Sequence, residues 1–180
     1  MSSRLLVFLS ILFPVAGLAQ VPDVPAGYHA TAFDYRLSPA IFYSIALTES
    51  GQSRMTAEFR PWPWTLSIDG EPYFFPTREE ARTALLKAIQ RRPGQLGVGL
   101  FQVEYRFHSN RFDSPGAMLD PYENARVAAE IFSEGLAAAG GNVWRAIGLF
   151  HSTTPDLAEA YRKRVARRLV GLVGSTGYGS

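Results

Sequence analysis

Residues 38–51 read Ser38-Pro39-Ala40-Ile41-Phe42-Tyr43-Ser44-Ile45-Ala46-Leu47-Thr48-Glu49-Ser50-Gly51. Ser38 is a typical helix N-cap, and proline is favoured at the first helical position. Apolar residues recur at three- and four-residue spacing, which predicts a helix that ends at the Ser-Gly pair. Glu49 then lies in the last turn, where apolar neighbours and the helix dipole both raise a carboxyl pKa. That shift is the one a general acid needs, and a solvated glutamate at a helix end is the alternative interpretation.

The amino-terminal segment has the pattern of a secretory signal peptide. A short basic start precedes an apolar run over residues 5–13, and Gly17-Leu18-Ala19 supplies small residues for a signal peptidase. We therefore expect residues 1–19 to be removed and the mature protein to lie in the periplasm. An uncleaved signal anchor is the alternative. No later run is long and apolar enough to predict a membrane span.

Composition limits the remaining possibilities. The 180-residue chain has no cysteine, which excludes a disulfide framework, a lipid-anchored cysteine and a thiolate metal site. After signal removal, about one domain remains. Lys and Arg (18) slightly outnumber Asp and Glu (16), and five of the basic residues lie between residues 162 and 168. This run suits an anionic polymer or a solvated helix face, and an exported protein is not expected to bind nucleic acid.

The rest of the chain predicts more helices and one small β-hairpin. Asp69-Gly70 stands between two alternating apolar runs, which is a hairpin signal. Residues 20–37 are predicted to form an extended lead-in, and residues 171–180 a flexible tail. Helix starts are predicted at Thr77 (a capping box, with the helix ending near Arg91), Asp120-Pro121, Asn142 and Thr154-Pro155.

Four short motifs occur in order along the chain. They are Glu49-Ser50-Gly51, Gly99-Leu100-Phe101-Gln102, Asp120-Pro121-Tyr122-Glu123-Asn124 and Ala146-Ile147-Gly148-Leu149-Phe150-His151. Tyr161 and Val165 add a Tyr-x-x-x-Val pattern. The ordered set resembles the lysozyme-like domain of the soluble lytic transglycosylases over residues 38–170. The resemblance implies a mainly α (α+β) fold, a lysozyme-like helical domain with one small β-hairpin insertion.

The resemblance also implies a reaction. Such enzymes cleave the β-1,4 bond between N-acetylmuramic acid and N-acetylglucosamine in peptidoglycan and close a 1,6-anhydro ring on the muramic acid. They use one catalytic carboxyl group, here Glu49, and no cofactor. Ordinary glycosidases use two carboxylates, and Glu58, Asp69 and Glu104 remain candidates for a second one. The implied partner is the peptidoglycan glycan strand, and an envelope-spanning conjugation, secretion or pilus complex is a further candidate.

Substrate-binding residues carried over from the family are Gly99, Phe101, Gln102, Phe150, His151 and Tyr161. Glycine lets backbone approach a sugar, and the Gln102 amide matches hydroxyl and acetamido groups. The alternative is a tight turn in which Gln102 binds backbone. Tyr105, Phe107 and the segment 62–64 are further aromatic candidates for a sugar face or for the core. His108 and His151 belong to no ligand cluster, so no metal site is expected.

Three departures from the family pattern affect the expected activity. Phe150-His151 stands where the family has Tyr-Asn, so a phenol that could hold the catalytic carboxyl is missing. Pro93-Gly94-Gln95 stands where a serine-containing segment is usual. Residues 60–92 lengthen the gap before Gln102 and could form a lip over the groove. A weakly active peptidoglycan-binding module and a hydrolytic muramidase therefore remain alternatives.

Overall fold

Helices make up most of the described chain, which comprises residues 23–56 and 58–174 of a computed structural model. The prediction of a mainly helical protein is confirmed. The helices of these residues are α1 (Ala26–Asp34), α2 (Pro39–Ser50), α3 (Arg78–Arg91), α4 (Tyr105–His108), α5 (Pro121–Ala138), α6 (Val143–His151) and α7 (Pro155–Gly174). The strands are β1 (Gly51–Gln52), β2 (Arg60–Pro61), β3 (Thr65–Ile68), β4 (Glu71–Phe74), β5 (Leu96–Val98) and β6 (Val103–Glu104).

Helix α2 is the buried centre of the helical part. Every residue from Phe42 to Leu47 is buried, and the helix packs against both α1 and α7. Pro39 occupies the first turn and Gly51 the C-cap, as predicted, although the Ser38 side chain makes no capping hydrogen bond. Burial on several faces explains why the sequence of α2 has no polar stripe.

The predicted hairpin is present and belongs to a larger sheet. Asp69 and Gly70 both have positive φ (52° and 90°), as a two-residue type I′ turn requires. Strand β4, which contains Pro72, lies at the sheet edge in the order β4-β3-β5-β6. The prediction of a single hairpin was incomplete, because β5 and β6 are short strands and the glycines around them suggested a loop. Strands β1 and β2 form a separate antiparallel ribbon.

The prediction of an extended lead-in over residues 20–37 is wrong for Ala26–Asp34, which forms α1. No side chain caps this helix, so the sequence gives no start signal. Tertiary packing stabilises α1 instead: Ala32 is fully buried, and the Tyr28 ring meets the Tyr43 ring edge-on at 4.7 Å. Packing of this kind commonly overrides weak local propensity.

The carboxyl-terminal prediction needs a similar correction. Helix α7 continues to Gly174, four residues into the predicted flexible tail of residues 171–180. Leu172 packs against the cluster of Val24, Tyr43 and Leu47, which stabilises this last turn. The rest of that tail and the predicted signal peptide lie outside the described residues.

The other helix starts follow the sequence closely. Thr77 accepts a hydrogen bond from the Glu80 N–H at the start of α3, and Asn142 accepts one from the Arg145 N–H at the start of α6. Asp120 caps α5 by accepting hydrogen bonds from the N–H groups of Tyr122 and Glu123. Local capping chemistry therefore sets these three boundaries correctly.

Asn124 joins α5 to the segment between β5 and β6. Its side chain is fully buried, and its Oδ1 accepts a hydrogen bond from the Phe101 N–H at 2.9 Å. Its Nδ2 donates to the carbonyl oxygens of Val98 and Met118, both at 2.9 Å. One side chain thus satisfies three buried backbone groups. It also fixes residues 99–102, here called the Gly99–Gln102 loop, against α5.

We expect Asn124→Ala to destabilise the protein by about 2–4 kcal/mol, because three buried backbone groups lose their partner at once. Asn142→Ala is the matched control, since it removes an exposed N-cap worth about 1 kcal/mol. Urea denaturation measures both changes. Equal costs for the two variants would show that Asn124 does not hold the loop.

Candidate functional site

Glu49 lies in the last turn of α2, as predicted, and is partly accessible to solvent. The residues on either side fix this turn. The Thr48 hydroxyl donates to the Ser44 carbonyl at 2.7 Å. The buried Ser50 hydroxyl donates to the Leu100 carbonyl, also at 2.7 Å. The end of α2 is therefore tied to the Gly99–Gln102 loop, with Glu49 beside the junction.

The environment of Glu49 raises its pKa from 4.5 to about 7. Burial of the carboxyl is the main cause, and interactions with the Tyr161 hydroxyl and the Arg164 charge oppose it. The upward direction predicted from the sequence is confirmed. A carboxyl with a pKa near neutrality can both give and accept a proton at physiological pH.

The three candidates for a second carboxylate are engaged elsewhere. Glu58 pairs with Arg60, and Asp69 accepts a hydrogen bond from the Gly94 N–H at 2.8 Å. Glu104 accepts a hydrogen bond from the Leu96 N–H at 3.0 Å. None of the three is among the groups that shift the pKa of Glu49. Within the described residues, Glu49 therefore has no carboxylate partner.

The Gly99–Gln102 loop is built by close backbone packing. Gly99 has a φ of +82°, and a Cβ there would lie 2.5 Å from the Asn124 Nδ2. Gln102 also has positive φ, and its Nε2 donates to the carbonyls of Gly99 (2.7 Å) and Thr65 (3.2 Å). The alternative in which Gln102 binds backbone is thus correct for its nitrogen. Its Oε1 is buried and has no hydrogen-bond partner among the described residues.

Phe101 does not provide a sugar-binding face. Its side chain is 1% exposed, and its ring stacks on Phe42 with centroids 4.3 Å apart. That prediction is wrong because the loop turns the ring into the core rather than outward. Phe150 is also a packing residue: its ring, partly buried, lies 6.3 Å from that of Phe132.

Tyr161 lies beneath the surface and next to Glu49. Its side chain is fully buried, so a direct substrate contact is excluded in this conformation. Burial and the nearby Glu49 both raise the pKa of the phenol. The hydroxyl makes no hydrogen bond of normal geometry with any described group. It is therefore an unsatisfied donor beside the carboxyl, and a small movement of either side chain would form the bond.

His151 and Arg164 complete the surroundings of Tyr161. The exposed His151 stacks on the phenol ring with centroids 4.5 Å apart and planes 5° from parallel. The Arg164 Cζ lies 5.3 Å from the same ring centroid. Packing of the His151 ring removes part of its hydration, and this desolvation together with the charge of Arg164 lowers the pKa of His151. Glu49, Tyr161, His151 and Arg164 form one cluster, here called the Glu49 cluster.

Sequence reasoning missed Arg164 as a member of this cluster. The basic run at 162–168 appeared to be either a polymer-binding surface or a solvated face. The signal was its spacing, since Tyr161 and Arg164 are three residues apart and so share a helix face. Of the other aromatic candidates, Trp62 donates its Nε1–H to the Phe75 carbonyl at 2.7 Å, and Phe107 is 67% exposed.

A cavity of about 290 Å³ lies beside Leu100, between α1 and the start of α5. Its lining includes Tyr28, Pro63 and Tyr122, and it does not include Glu49. The described residues contain no group of three or more His, Cys, Asp or Glu side chains that could hold a metal ion. No helix of residues 23–56 and 58–174 is long and apolar enough to cross a membrane.

Comparisons with protein-family models, with curated proteins and with solved structures find no match to this chain. The Glu49 cluster and the motifs in contact with it are therefore the features from which a function is inferred.

The raised pKa of Glu49 predicts how stability depends on pH. The folded state holds this proton more tightly than the unfolded state does, so its stabilising contribution is complete below pH 4.5 and is lost as pH rises through about 7. We expect Glu49→Gln to remove this decline and to exceed the wild type in stability above neutrality by up to about 3 kcal/mol. Urea denaturation across this pH range measures the effect.

Glu134→Gln is a control of opposite sign. Arg111 holds this carboxylate and lowers its pKa. That stabilisation is present above the usual carboxyl range and is lost in acid, so the variant should lose stability at neutral pH and not at low pH. A Glu49→Gln protein with the same pH profile as the wild type would contradict the assignment of a raised pKa to Glu49.

Proposed function

We propose that this protein is a peptidoglycan lytic transglycosylase with a lysozyme-like domain, and that Glu49 is its catalytic acid and base. The observation that carries the proposal is a lone carboxyl at a helix end whose pKa is raised to about 7. A reaction with a single acid–base group needs this property, since one carboxyl must donate a proton and then accept another.

The proposed chemistry balances without water. Protonated Glu49 gives its proton to the glycosidic oxygen as the bond between that oxygen and C1 of the muramic acid breaks. The resulting carboxylate accepts the proton of the C6 hydroxyl as O6 forms its bond to C1. The carboxyl returns to its protonated state, and the product carries a 1,6-anhydro ring.

Contacts between the sequence motifs support the same proposal. Ser50 of the first motif binds Leu100 of the second, and Asn124 of the third binds Phe101 of the second. His151 of the fourth stacks on Tyr161 of the last helix. Motifs distant in sequence are thus in contact with one another, as they should be if they belong to one site. The expected setting is the periplasm, where local opening of the wall would serve an envelope-spanning complex.

Digestion of purified sacculi tests the function. We expect wild-type protein to release muropeptides that are lighter by one water than hydrolysis products and that lack a reducing end. Glu49→Gln should cleave about a hundred- to ten-thousand-fold more slowly, because the amide cannot transfer the proton. Glu58→Gln is the matched control and should retain the wild-type rate, since Glu58 pairs with Arg60.

Each contrary outcome would indicate a different function or a different catalytic group. Reducing muramic acid ends would indicate a hydrolytic muramidase. Sacculus binding without release of fragments would indicate a binding module. Phe150 favours this alternative, because it stands where the family has a tyrosine. Wild-type turnover by Glu49→Gln would exclude Glu49 as the catalytic group.

Tyr161→Phe tests whether the buried phenol positions Glu49. The interaction with Tyr161 lowers the pKa of Glu49, so its removal should move the alkaline limb of the kcat/KM profile to higher pH. If the hydroxyl bonds to the carboxyl during the reaction, its removal should slow turnover by roughly threefold to tenfold. Stability should not fall, because the hydroxyl removed is buried without a partner.

Tyr28→Phe is the control, because it removes another hydroxyl whose pKa is raised by burial and that does not affect Glu49. Its kcat/KM profile should keep the wild-type pH dependence. An unchanged profile in Tyr161→Phe as well would leave Tyr161 with a packing role only.

A further inference from the structure

The basic run on α7 divides into two groups by its contacts. Arg162 and Lys163 both pair with Glu159 on their own helix. Arg164 and Arg168 have no carboxylate within ion-pair distance among the described residues. Each lies over an aromatic ring instead, with the Arg164 Cζ 5.3 Å from the Tyr161 centroid and the Arg168 Cζ 4.2 Å from the Phe59 centroid.

Both arginines lie at the end of α2 that carries Glu49. The charge of Arg164 lowers the pKa of the Glu49 carboxyl. Arg168 lies over the Phe59 ring, and this ring packs on Gly51 at the C-cap of α2. The packing is so close that a Cβ on Gly51 would collide with the Phe59 ring. Residues four apart on a helix share one face, so Arg164 and Arg168 project from the same face of α7.

Arg164 lowers the pKa of Glu49, but Arg168 is not among the groups that shift this pKa. Adjustment of the Glu49 pKa therefore does not account for both cations, which need a further explanation. One is structural: positive charge stabilises the negative end of the α2 dipole. The other is that an anion of the substrate binds there, and arginine is suited to this because its planar donors can hold a carboxylate through two hydrogen bonds.

We propose that Arg164 and Arg168 form an anion-binding site that takes a carboxylate carried by the muramic acid beside the cleaved bond. This inference rests on the proposed function. Exposure of both side chains leaves them open to a glycan strand that reaches Glu49. The Phe59 and Tyr161 rings hold the guanidinium groups in place before the substrate arrives, which reduces the entropy lost on binding.

The carboxylate has two possible sources with the same chemistry. A muramic acid stripped of its peptide exposes its own lactyl carboxylate. A muramic acid with an intact stem presents the carboxylates of the peptide. A site for stripped strands would bind the lactyl carboxylate, and a site for strands that still carry stems would bind a peptide carboxylate.

The test compares charged and neutralised strands. Intact sacculi and amidase-stripped strands are each assayed before and after their carboxylates are converted to methylamides. The proteins are wild type, Arg164→Gln, Arg168→Gln and the double variant, with Lys163→Gln as control because it removes the same charge from a side chain paired with Glu159. Assays at about pH 5.5 keep Glu49 protonated in every variant, since its pKa is about 7.

We expect wild type to lose about tenfold in kcat/KM when carboxylates are neutralised on the strand type that the site recognises. Loss on stripped strands identifies the lactyl carboxylate, and loss on intact strands identifies the stem. The double variant should cleave charged and neutral strands equally, and Lys163→Gln should keep the wild-type preference.

Other outcomes overturn the inference in distinct ways. Equal cleavage of charged and neutralised strands by wild type excludes an anion site while the proposed function stands, and this comparison needs no variant to fold. A double variant that keeps the preference places the anion site elsewhere. A variant that loses stability by urea denaturation and keeps the preference supports the dipole explanation. A wild type that cleaves none of the strands overturns the proposed function and this inference together.

Discussion

The hydrogen bond from the buried Ser50 hydroxyl to the Leu100 carbonyl is the contact on which the site depends. It joins the end of α2 to the Gly99–Gln102 loop at 2.7 Å, fifty residues along the chain. Asn124 holds the same loop from the other side. Because one hydroxyl and one amide satisfy buried backbone groups, the loop cannot move without leaving those groups unpaired. The backbone at Glu49 is therefore held in place by the hydrogen bond of its neighbour Ser50 and not by a contact of the Glu49 side chain.

The pKa of Glu49 results from two opposing effects: burial raises it, and interactions with neighbouring polar and charged groups lower it. Burial alone would raise its pKa further, and Tyr161 and Arg164 bring it back to about 7. A fully buried, isolated carboxyl would stay protonated and serve only as an acid. An exposed one would stay ionised and serve only as a base. The surroundings on α7 therefore allow one group to take both roles, which a reaction without a second carboxylate requires.

Local chemistry made parts of the fold predictable from sequence. The capping residues Thr77, Asp120 and Asn142 mark their helices directly, and Asp69-Gly70 marks the hairpin turn. Helix α1 and the last turn of α7 were missed because they depend on tertiary contacts at Tyr28 and Leu172. Glu49 was identified with the correct direction of its pKa shift. Phe101 and Tyr161 were misplaced because the residue type shows an aromatic ring, and only packing shows whether it faces the core or the solvent.

Unsatisfied polar atoms indicate where this fold gives up stability. Among the described residues, five buried side-chain atoms have no hydrogen-bond partner: Gln52 Nε2, Gln102 Oε1 and Tyr161 Oη, and also His108 Nδ1 and Ser133 Oγ on α4 and α5. Gln52 follows the end of α2, Gln102 belongs to the loop tied to that end, and Tyr161 adjoins Glu49. Such atoms cost free energy in a region selected for packing alone, and apolar residues would remove that cost. Three of the five lie in the segments around Glu49, which is expected if those segments are arranged for a polar ligand rather than for maximal stability.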